Sequence, residues 1–457
     1  MPLTAADVKF TWQWNIDPVN ASIDAVSWEL ISVVEVIDEL TVTLTFAAPT
    51  LGWFQPFGSN LGVIYPKHFW DGKDATTANI EFASAPIGTG PYVVEEFSPN
   101  DQVVYAANSN YREPGKPFYQ RVILKGGGDP SSAILAVTTT GDWDMAFTLQ
   151  IDPDAIRAAL GDLGDIYGPP GTGVEKIQFN FTDPNTEVDG QRSEKNTPHP
   201  FLTDLSVRQA IAMAIDRQTI ADRLYAADPG RNMLAGLTQY ESSNTSWAYD
   251  PDAAAQLLDE AGWVLNGEVR EKDGVPLKVR YATTNVVQRQ KVQAVVKDNL
   301  VAIGFDVELL QVDGSIFFDG TPDNDQNFTH FYSDMQMYTD GATSAFPLNY
   351  MKYWYAGPDG ENLAQASNQW TGTNKTRYQN PDYDAGWVEI ASLTDPAVAT
   401  EVFVRLNDIV VNEVVEIPLV QVVADRYVVQ STIRQENIAV SPFGDIYWNI
   451  ANWNRNA

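Results

Sequence analysis

Few side chains in this sequence have the types and spacing that catalysis or metal binding requires. The chain has no cysteine, and its three histidines, His68, His199 and His330, lie far apart. Without cysteine there is no thiolate nucleophile and no thiolate metal ligand. No G-x-S-x-G, H-E-x-x-H, Walker or C-x-x-C motif occurs. We therefore predict a binding protein that is not an enzyme, with no catalytic residue, no cofactor and no metal site.

Acidic residues offer two alternatives. Asp142 and Asp144 are predicted to alternate on a strand and so to share one face, and a glycosidase needs two carboxyl groups about 5–10 Å apart. The polar segment 183–194 has loosely calcium-like spacing, but the glycine of an EF-hand loop is out of place there. Because the chain has 60 Asp and Glu residues, such groupings arise easily by chance. A secreted hydrolase is kept only as a second alternative.

The stretch GTGPY, residues 88–92, could be either a phosphate loop or a turn. A phosphate loop needs a helix N-terminus behind it, whereas the aromatic and β-branched residues that follow favour a strand. We predict a structural turn, because glycine allows positive φ and the proline sets φ before the strand.

The composition indicates a large, acidic, water-exposed protein. With 457 residues, the chain exceeds what one core usually serves, so two or three domains are expected. The net charge of -31 disfavours nucleic acid as a partner and indicates a solvated acidic exterior. There is no run of eighteen apolar residues, so no membrane span is predicted. The first residues read as a helix with Thr4 as its N-cap, not as an export signal.

The elements that must position any site are a mixture of helices and strands. VVEVID (33–38) and TVTLTF (41–46) predict two adjacent strands, and residues 205–225 predict an amphipathic helix pair. Asp250 is the expected N-cap of a further helix that ends before Gly262. Residues 276–312 predict a βαβ unit in a partly parallel sheet, and residues 417–429 predict a late strand.

Residues 317–387 form an aromatic segment that contains fifteen of the Phe, Tyr and Trp residues but only three Lys or Arg. Aromatic residues in loops line clefts as well as cores. We leave both interpretations open at this point.

Several stretches, in order along the chain, resemble the extracytoplasmic solute-binding proteins of family 5, the oligopeptide- and dipeptide-binding type that serves ABC importers. LTAADVKFTW (3–12) is similar to the family's T-A-x-D-V-x-F-T helix start, and GTGPY (88–92), followed by AANSNY (106–111), to its glycine turn and N-x-x-Y. VRQAIAMAIDRQTI (207–220) and YDPDAAAQLLDEAGW (249–263) are similar to two of its helices.

The resemblance implies an α/β, two-lobed periplasmic-binding-protein fold of class II, the Venus-flytrap type, with an extra subdomain on the first lobe. Residues 1–118 would form the extra subdomain, 119–235 the first lobe, 236–419 the second lobe and 420–457 the return to the first lobe. Relatives carry an export signal and several strands before the first of these helices. Those strands are missing here, so we expect an unpaired sheet edge and poor solubility.

The resemblance also implies a function. We expect a monomer that binds a peptide or another small solute with high affinity in the periplasm or another extracytoplasmic space, and delivers it to the permease subunits of an ABC importer. An oligosaccharide-binding member of the same family is the alternative.

In peptide-binding relatives an Asp of the second lobe pairs with the α-amine of the peptide. HFYSDMQMYTDGATSAF supplies Asp334 and Asp340. We prefer Asp340, expected at the exit of a strand just before Gly341, although the family's usual Trp before this Asp is not in place. The remaining predicted ligand-binding residues are Tyr338, Trp354, Trp370 and Arg377.

Overall fold

The computed structural model describes residues 2–20, 22–58, 62–99, 101–126, 129–147, 149, 153–168, 171–421, 426–444 and 446–455. The chain divides into two compact units. Unit 1 comprises residues 1–169 and 424–457, and unit 2 comprises residues 170–423. Among the described residues, no helix combines the length and the apolar character needed to cross a bilayer.

Unit 1 consists of short helices and three small antiparallel sheets, with elements numbered along the whole chain. Its helices are α1 (Ala5–Ile16), α2 (Ala25–Glu29), α3 (Gln55–Gly58), α4 (Lys67–Trp70), α5 (Ala75–Ser84), α6 (Pro130–Leu135) and α7 (Pro153–Leu160). Its strands are β1 (Ile31–Val36), β2 (Val42–Phe46), β3 (Tyr92–Ser98), β4 (Gln102–Ala107), β5 (Arg121–Lys125), β6 (Met145–Ala146), β7 (Gly164–Tyr167) and β16 (Tyr427–Gln430). The sheets have the orders β1-β2, β3-β4-β5 and β6-β16-β7, so the C-terminal segment completes this unit.

The first helix begins where the sequence predicts. The backbone N–H of Thr4 donates to Asp7 Oδ2 over 2.8 Å, as in a capping box. The other oxygen of Asp7 accepts from the backbone N–H of Lys67 over 2.8 Å. One buried carboxylate therefore ties the start of α1 to the start of α4.

The GTGPY turn precedes β3, as predicted, and no helix follows it. Asn108 closes the turn, because its Nδ2 donates to the carbonyl of Gly90 and its backbone N–H donates to the carbonyl of Pro91, each over 2.8 Å. Neither Gly88 nor Gly90 uses the positive φ that glycine allows. A Cβ on either would meet nothing closer than 4.0 Å, and nothing in the structure explains these two glycines.

Unit 2 contains the largest sheet. Its helices are α8 (Leu205–Ala214), α9 (Arg217–Ile220), α10 (Pro251–Glu260), α11 (Val287–Ala302), α12 (Gly314–Phe317), α13 (Leu348–Met351), α14 (Pro381–Ile390) and α15 (Pro396–Asn412). Its strands are β8 (Gly173–Phe179), β9 (Val264–Asn266), β10 (Val269–Lys272), β11 (Val275–Pro276), β12 (Lys278–Thr284), β13 (Asp306–Val312), β14 (Met335–Gly341) and β15 (Glu416–Gln421). The five-stranded sheet has the order β13-β12-β14-β8-β15, and β9 to β11 form a small separate sheet.

The predicted helices and the βαβ unit of unit 2 are confirmed. Strands β12 and β13 are parallel and α11 connects them, with Gly304 at φ +96° at the turn into β13. The side chain of Asp250 accepts from the backbone N–H of Ala253 and caps α10. The predicted apolar face of α8 and its exit is buried, with exposures of 0–1 % for Val207, Ala210, Ile211, Ala214 and Ile215.

The first boundary between the two units lies at a different position from the predicted end of the first lobe at 235. The chain crosses between units at 169/170 and 423/424, whereas crossings near 235 and 420 were predicted. The reason for the first difference is β8, which pairs with both β14 and β15 inside the large sheet, so residues from 170 onward belong to unit 2. The single strand predicted over 417–429 is instead two strands, β15 in unit 2 and β16 in unit 1.

We predict that Asn108→Ala destabilises unit 1 by about 1 kcal/mol, the usual net value of a buried side-chain hydrogen bond. Urea denaturation followed by tryptophan fluorescence measures the change. Asn110→Ala is the matched control, because the exposed Asn110 lies in the same turn and contributes only its backbone N–H, which donates to Asn108 Oδ1. Equal stability of the two variants would show that Asn108 does not clamp the turn.

Candidate functional site

The two faces of the large sheet in unit 2 have opposite chemical character. Residues alternate between faces along a strand, so Met335 and Met337 of β14 lie on one side and Gln336, Tyr338 and Asp340 on the other. The methionine side belongs to the main apolar core, together with residues of α8 and α11. The opposite side carries charged and amide groups, and we call it the polar face.

A buried ion pair lies on the polar face. Lys176 of β8 and Glu416 of β15 are both fully buried, with Nζ 3.2 Å from Oε2. Glu416 Oε1 also accepts from Gln178 Nε2 over 2.6 Å and from Trp354 Nε1 over 2.9 Å. Burial is the largest single effect on the pKa of Lys176 and acts to lower it, but the combined attraction of Glu416 and of Tyr338, Asp340 and Tyr353 raises the pKa overall. Lys176 is therefore a permanent cation of the core.

Aromatic rings enclose the ammonium group of Lys176. Its Nζ lies 5.1 Å from the ring centre of Tyr350, 5.2 Å from that of Trp354 and 5.6 Å from that of Tyr338. Tyr338 is also the residue directly opposite Lys176 in the β8–β14 register. The predicted site residues Trp354 and Tyr338 thus lie together, and both are buried beside the ion pair.

Asp340 lies at the edge of this cluster and is half-buried. It is the last residue but one of β14, and so lies within the strand and not at its exit as predicted. Its Oδ1 accepts from the backbone N–H of Gly341 over 2.8 Å. Its negative charge, together with burial, raises the pKa of Tyr353. Gly341 is explained by a close approach, because a Cβ there would lie 2.2 Å from the carbonyl oxygen of Thr172.

A second lysine, Lys375, completes the cluster. It is only 7 % exposed, and its Nζ lies 4.2 Å from the ring centre of Tyr353 and 4.8 Å from that of Phe328. Burial lowers the pKa of Lys375 to about 8, although the charge of Asp340 acts in the opposite direction. Lys176, Glu416, Lys375 and Asp340 are the four charged groups of what we call the polar-face cluster.

Asp334, the other predicted amine-binding residue, has its oxygens engaged inside unit 2. Oδ1 lies 2.9 Å from His199 Nε2, and Oδ2 accepts from the backbone N–H of Arg280 over 2.6 Å. The side chain is buried. Both carboxylate oxygens of Asp334 thus have partners within unit 2.

Arg377 and Trp370 both contact His330, and Arg377 contacts the polar-face cluster only through the backbone of Lys375. Arg377 is buried, and its guanidinium donates to the carbonyls of Lys375 and His330. Burial lowers the pKa of Arg377 to about 10. The Trp370 ring stacks on His330 with a centroid distance of 3.8 Å. The contacts of both side chains described here are with other residues of the aromatic segment.

Most of the aromatic segment is core. Eight of its aromatic residues are buried in the described part of the chain, namely Phe317, Phe331, Tyr338, Phe346, Tyr350, Trp354, Tyr378 and Tyr383. The segment packs on the polar face of the sheet through the tyrosines and tryptophan near Lys176. Two interpretations of this segment were open, a core or the lining of a cleft. These eight residues belong to the core.

The other acidic candidates have local partners. The strand predicted to carry Asp142 and Asp144 begins only at Met145, so the two aspartates precede β6, and Asp144 forms an ion pair with Arg455. In the segment 183–194, Asp183 accepts from the backbone N–H of Asn185 over 2.8 Å, which is an ordinary Asx turn.

Sequence reasoning missed Lys176, Glu416 and Lys375. Lys176 is a lysine within the predicted strand GVEKIQF. A charged residue inside a strand is a signal that could have indicated a buried ion pair. Glu416 and Lys375 lie in segments where a charge is unremarkable by itself. Only the packing of β15 and of the aromatic segment against β8 brings these groups together.

The sequence model described as bacterial extracellular solute-binding proteins, family 5 middle, matches residues 1–362. A Brucella ovis protein provisionally named an ABC transporter peptide-binding protein is 30% identical over 277 residues, which are 58% of this chain and 47% of that protein. The match thus spans about half the length of such curated relatives.

Two solved structures have a similar fold. NikZ from Campylobacter jejuni, in complex with Ni(L-His), has a TM-score of 0.78 at 22% identity and covers 99% of this chain and 84% of its own. The oligopeptide-binding protein AppA from Bacillus subtilis, in complex with a nonapeptide, has a TM-score of 0.78 at 20% identity and covers 100% and 84%. These similarities confirm the predicted α/β fold of the family.

We predict that Lys176→Met destabilises unit 2 by about 3–5 kcal/mol, because it leaves Glu416 as a buried, unpaired charge. The double variant Lys176→Met/Glu416→Gln should recover most of that loss, since no charge then remains buried. Arg405→Met is the control, because it breaks an exposed ion pair with Glu389 that is worth about 1 kcal/mol or less. Urea denaturation of the four proteins measures the differences. A double variant as unstable as the single one would contradict this account.

A second prediction concerns pH and Lys375. In the folded protein its pKa is about 8, against 10.5 for an ordinary lysine. Between these pH values the unfolded chain binds more protons, so stability rises with pH through this window. Lys375→Met should therefore be more stable than the wild type below about pH 8, by on the order of 3 kcal/mol at about 1.4 kcal/mol per pKa unit. The difference should vanish as the pH approaches 10.5, which thermal melts across this range would test.

Proposed function

This chain belongs to the bacterial extracellular solute-binding proteins of family 5, and from that membership we propose that it binds a peptide-like solute through Asp340 and delivers it to an ABC importer. The permease partner and a periplasmic or other extracytoplasmic location are parts of the same proposal. The names of the relatives, which refer to peptide binding, support it.

One observation in the structure carries the proposal. Of the two candidate aspartates, Asp340 alone combines partial exposure with a carboxylate that the described residues only partly engage. It is fixed on a strand and its neighbours include Tyr338 and Tyr353, whose rings give an ammonium group an apolar and aromatic surrounding. A carboxylate held in this way suits a primary ammonium group, which needs a negative charge in a desolvated place.

The experiment that tests the proposal is to identify the solute that co-purifies with the native protein by mass spectrometry, and then to titrate it by calorimetry. Asp340→Asn should weaken the affinity for an amine-bearing solute by roughly a hundredfold or more. The reason is that removing one partner of a buried pair costs about 3–5 kcal/mol, and each 1.4 kcal/mol is about tenfold in affinity. The melting temperature should change little. Asp323→Asn, which neutralises an exposed aspartate of the same unit, should leave the affinity unchanged.

Two outcomes would reject the peptide role. One is an Asp340→Asn variant that binds the amine-bearing solute as tightly as the wild type. The other is a co-purified glycan without an amine, which would favour the oligosaccharide-binding alternative. Turnover of the solute on incubation would instead indicate a hydrolase.

A further inference from the structure

The guanidinium of Arg377 is a buried cation whose hydrogen bonds all go to uncharged groups. It donates to the carbonyl oxygens of Lys375, Thr329 and His330 over 2.6, 3.1 and 2.9 Å. The residue is 1 % exposed, and its Nε has no hydrogen-bond partner in the described part of the chain. A charge removed from water is normally paired with an opposite charge. The hydrogen bonds of Arg377 to described residues supply no such charge.

Glu194 is the carboxylate whose charge acts on Arg377, and its side chain is engaged elsewhere. Its Oε1 accepts from the backbone N–H of Ala366 over 3.0 Å, and the residue is half-buried. Burial lowers the pKa of Arg377 to about 10, although the charge of Glu194 acts in the opposite direction. Glu194 therefore does not offset the burial of the guanidinium.

The indole of Trp370 supplies a second buried donor without an acceptor. No described group accepts a hydrogen bond from its Nε1. The indole ring stacks on the ring of His330 with a centroid distance of 3.8 Å, and Arg377 Nη2 donates to the backbone carbonyl of the same histidine. Two buried N–H groups without acceptors, Arg377 Nε and Trp370 Nε1, thus belong to side chains that both contact His330.

The backbone around His330 is constrained. Four residues there that are not glycine adopt positive φ, namely Phe331 at 51°, Gln369 at 53°, Trp370 at 55° and Arg377 at 59°. Residues with a side chain rarely adopt this conformation, and such residues concentrate at functional sites where the surrounding structure enforces them. Both donors are therefore carried by backbone whose conformation the fold has to impose.

We propose that Arg377 Nε and Trp370 Nε1 bind one small monovalent anion of the halide class, such as chloride. An anion accepts hydrogen bonds and also supplies the negative charge that a buried guanidinium requires. The anion has to be small, because Arg377 and His330 are each only 1 % exposed. Trp370 is the partly exposed member of the group, so the ion enters beside its ring. Asp340 takes no part in this site, and the inference goes beyond the proposed function.

His330 is the third side chain of the site and links anion binding to pH. Its Nε2 lies 3.0 Å from the carbonyl oxygen of Pro322, which can only accept, so Nε2 carries the proton of the neutral ring. Nδ1 then has a lone pair, and it has no partner among the described residues.

The charged and titratable groups around His330 set the direction of this link. Burial lowers the pKa of His330, and the charge of Arg377 lowers it further, whereas the charge of Asp325 acts in the opposite direction. The ring of Tyr332 packs against it with a centroid distance of 5.3 Å. An anion beside Nδ1 would raise this pKa. Binding of the anion should therefore take up a proton, and the affinity should increase as the pH falls.

Chloride titrations at constant ionic strength test the proposal on the whole protein. Sodium chloride replaces sodium gluconate, and thermal melting and tryptophan fluorescence follow the change. An ion that binds only the folded state stabilises it by mass action, so the melting temperature should rise with chloride and then level off. Bromide should act in the same way. The chloride affinity should be about threefold or more higher at pH 5.5 than at pH 8.

Trp370→Phe is the decisive variant, because it keeps an aromatic ring on His330 and removes the N–H donor. It should weaken chloride binding by roughly tenfold or more. Trp387→Phe is the matched control in the same segment, since Nε1 of Trp387 already donates to the carbonyl of Leu348 over 3.0 Å. Its chloride affinity should equal that of the wild type.

Crystals of the wild type grown in bromide give a readout that does not depend on the stability of a variant. The anomalous signal of bromide should lie within hydrogen-bond distance of Arg377 Nε and Trp370 Nε1. A bromide found only at other positions would overturn the inference.

The titrations can also overturn it. A melting temperature that does not depend on chloride at fixed ionic strength would do so, as would a Trp370→Phe variant with the chloride affinity of the wild type. A chloride affinity that is the same at pH 5.5 and pH 8 contradicts a site beside His330 Nδ1. None of these measurements involves Asp340, so their failure leaves the proposed function unchanged, and failure of the proposed function leaves this site unchanged.

Discussion

The burial of Lys176 on β8, between β14 and the edge strand β15 of the five-stranded sheet, is the constraint on which unit 2 depends. A charged side chain there is tolerated only with a close counter-ion and further hydrogen bonds. Glu416 supplies the counter-ion from the neighbouring strand, and Trp354 supplies a donor from the aromatic segment. The ammonium group of Lys176 thus constrains both the strand order and the packing of the aromatic segment.

The same ion pair fixes the register of the sheet. A slip of β8 by one residue would turn Lys176 toward the apolar core and would turn Ile177 toward the polar face. With Lys176 in the apolar core, an unpaired charge would be buried. With Ile177 on the polar face, Glu416 would lose its partner. Strand β14 pairs with β8, and this pairing sets the positions of Tyr338 and Asp340. The candidate site is therefore positioned by strands, which hold side chains more rigidly than loops do.

Much of unit 2 could be predicted from the sequence, and the reasons are physical. The face of α8, the cap at Asp250 and the βαβ unit all follow from local rules of periodicity and capping. The choice of Asp340 as a ligand-binding residue rests on the family resemblance of its segment and stays a prediction. Lys176 and Lys375 were missed because their importance depends on contacts across long sequence separations, which no local pattern reports. The pairing of β8 with β14 and β15 is likewise not local, and no local pattern in the sequence reports it.

The distribution of charge differs between the surface of the protein and the interior of unit 2. The chain has 29 Lys and Arg against 60 Asp and Glu, and seven of those cations are buried among the described residues, all in unit 2. Burial removes them from the surface and makes the exterior more acidic than the composition alone suggests. That exterior field is screened over about 8 Å at physiological salt, whereas charges inside the polar-face cluster interact in a low dielectric at a few ångströms. The acidic surface therefore affects solubility and the rate of encounter with charged partners, whereas the charges of the polar-face cluster act on one another at short range.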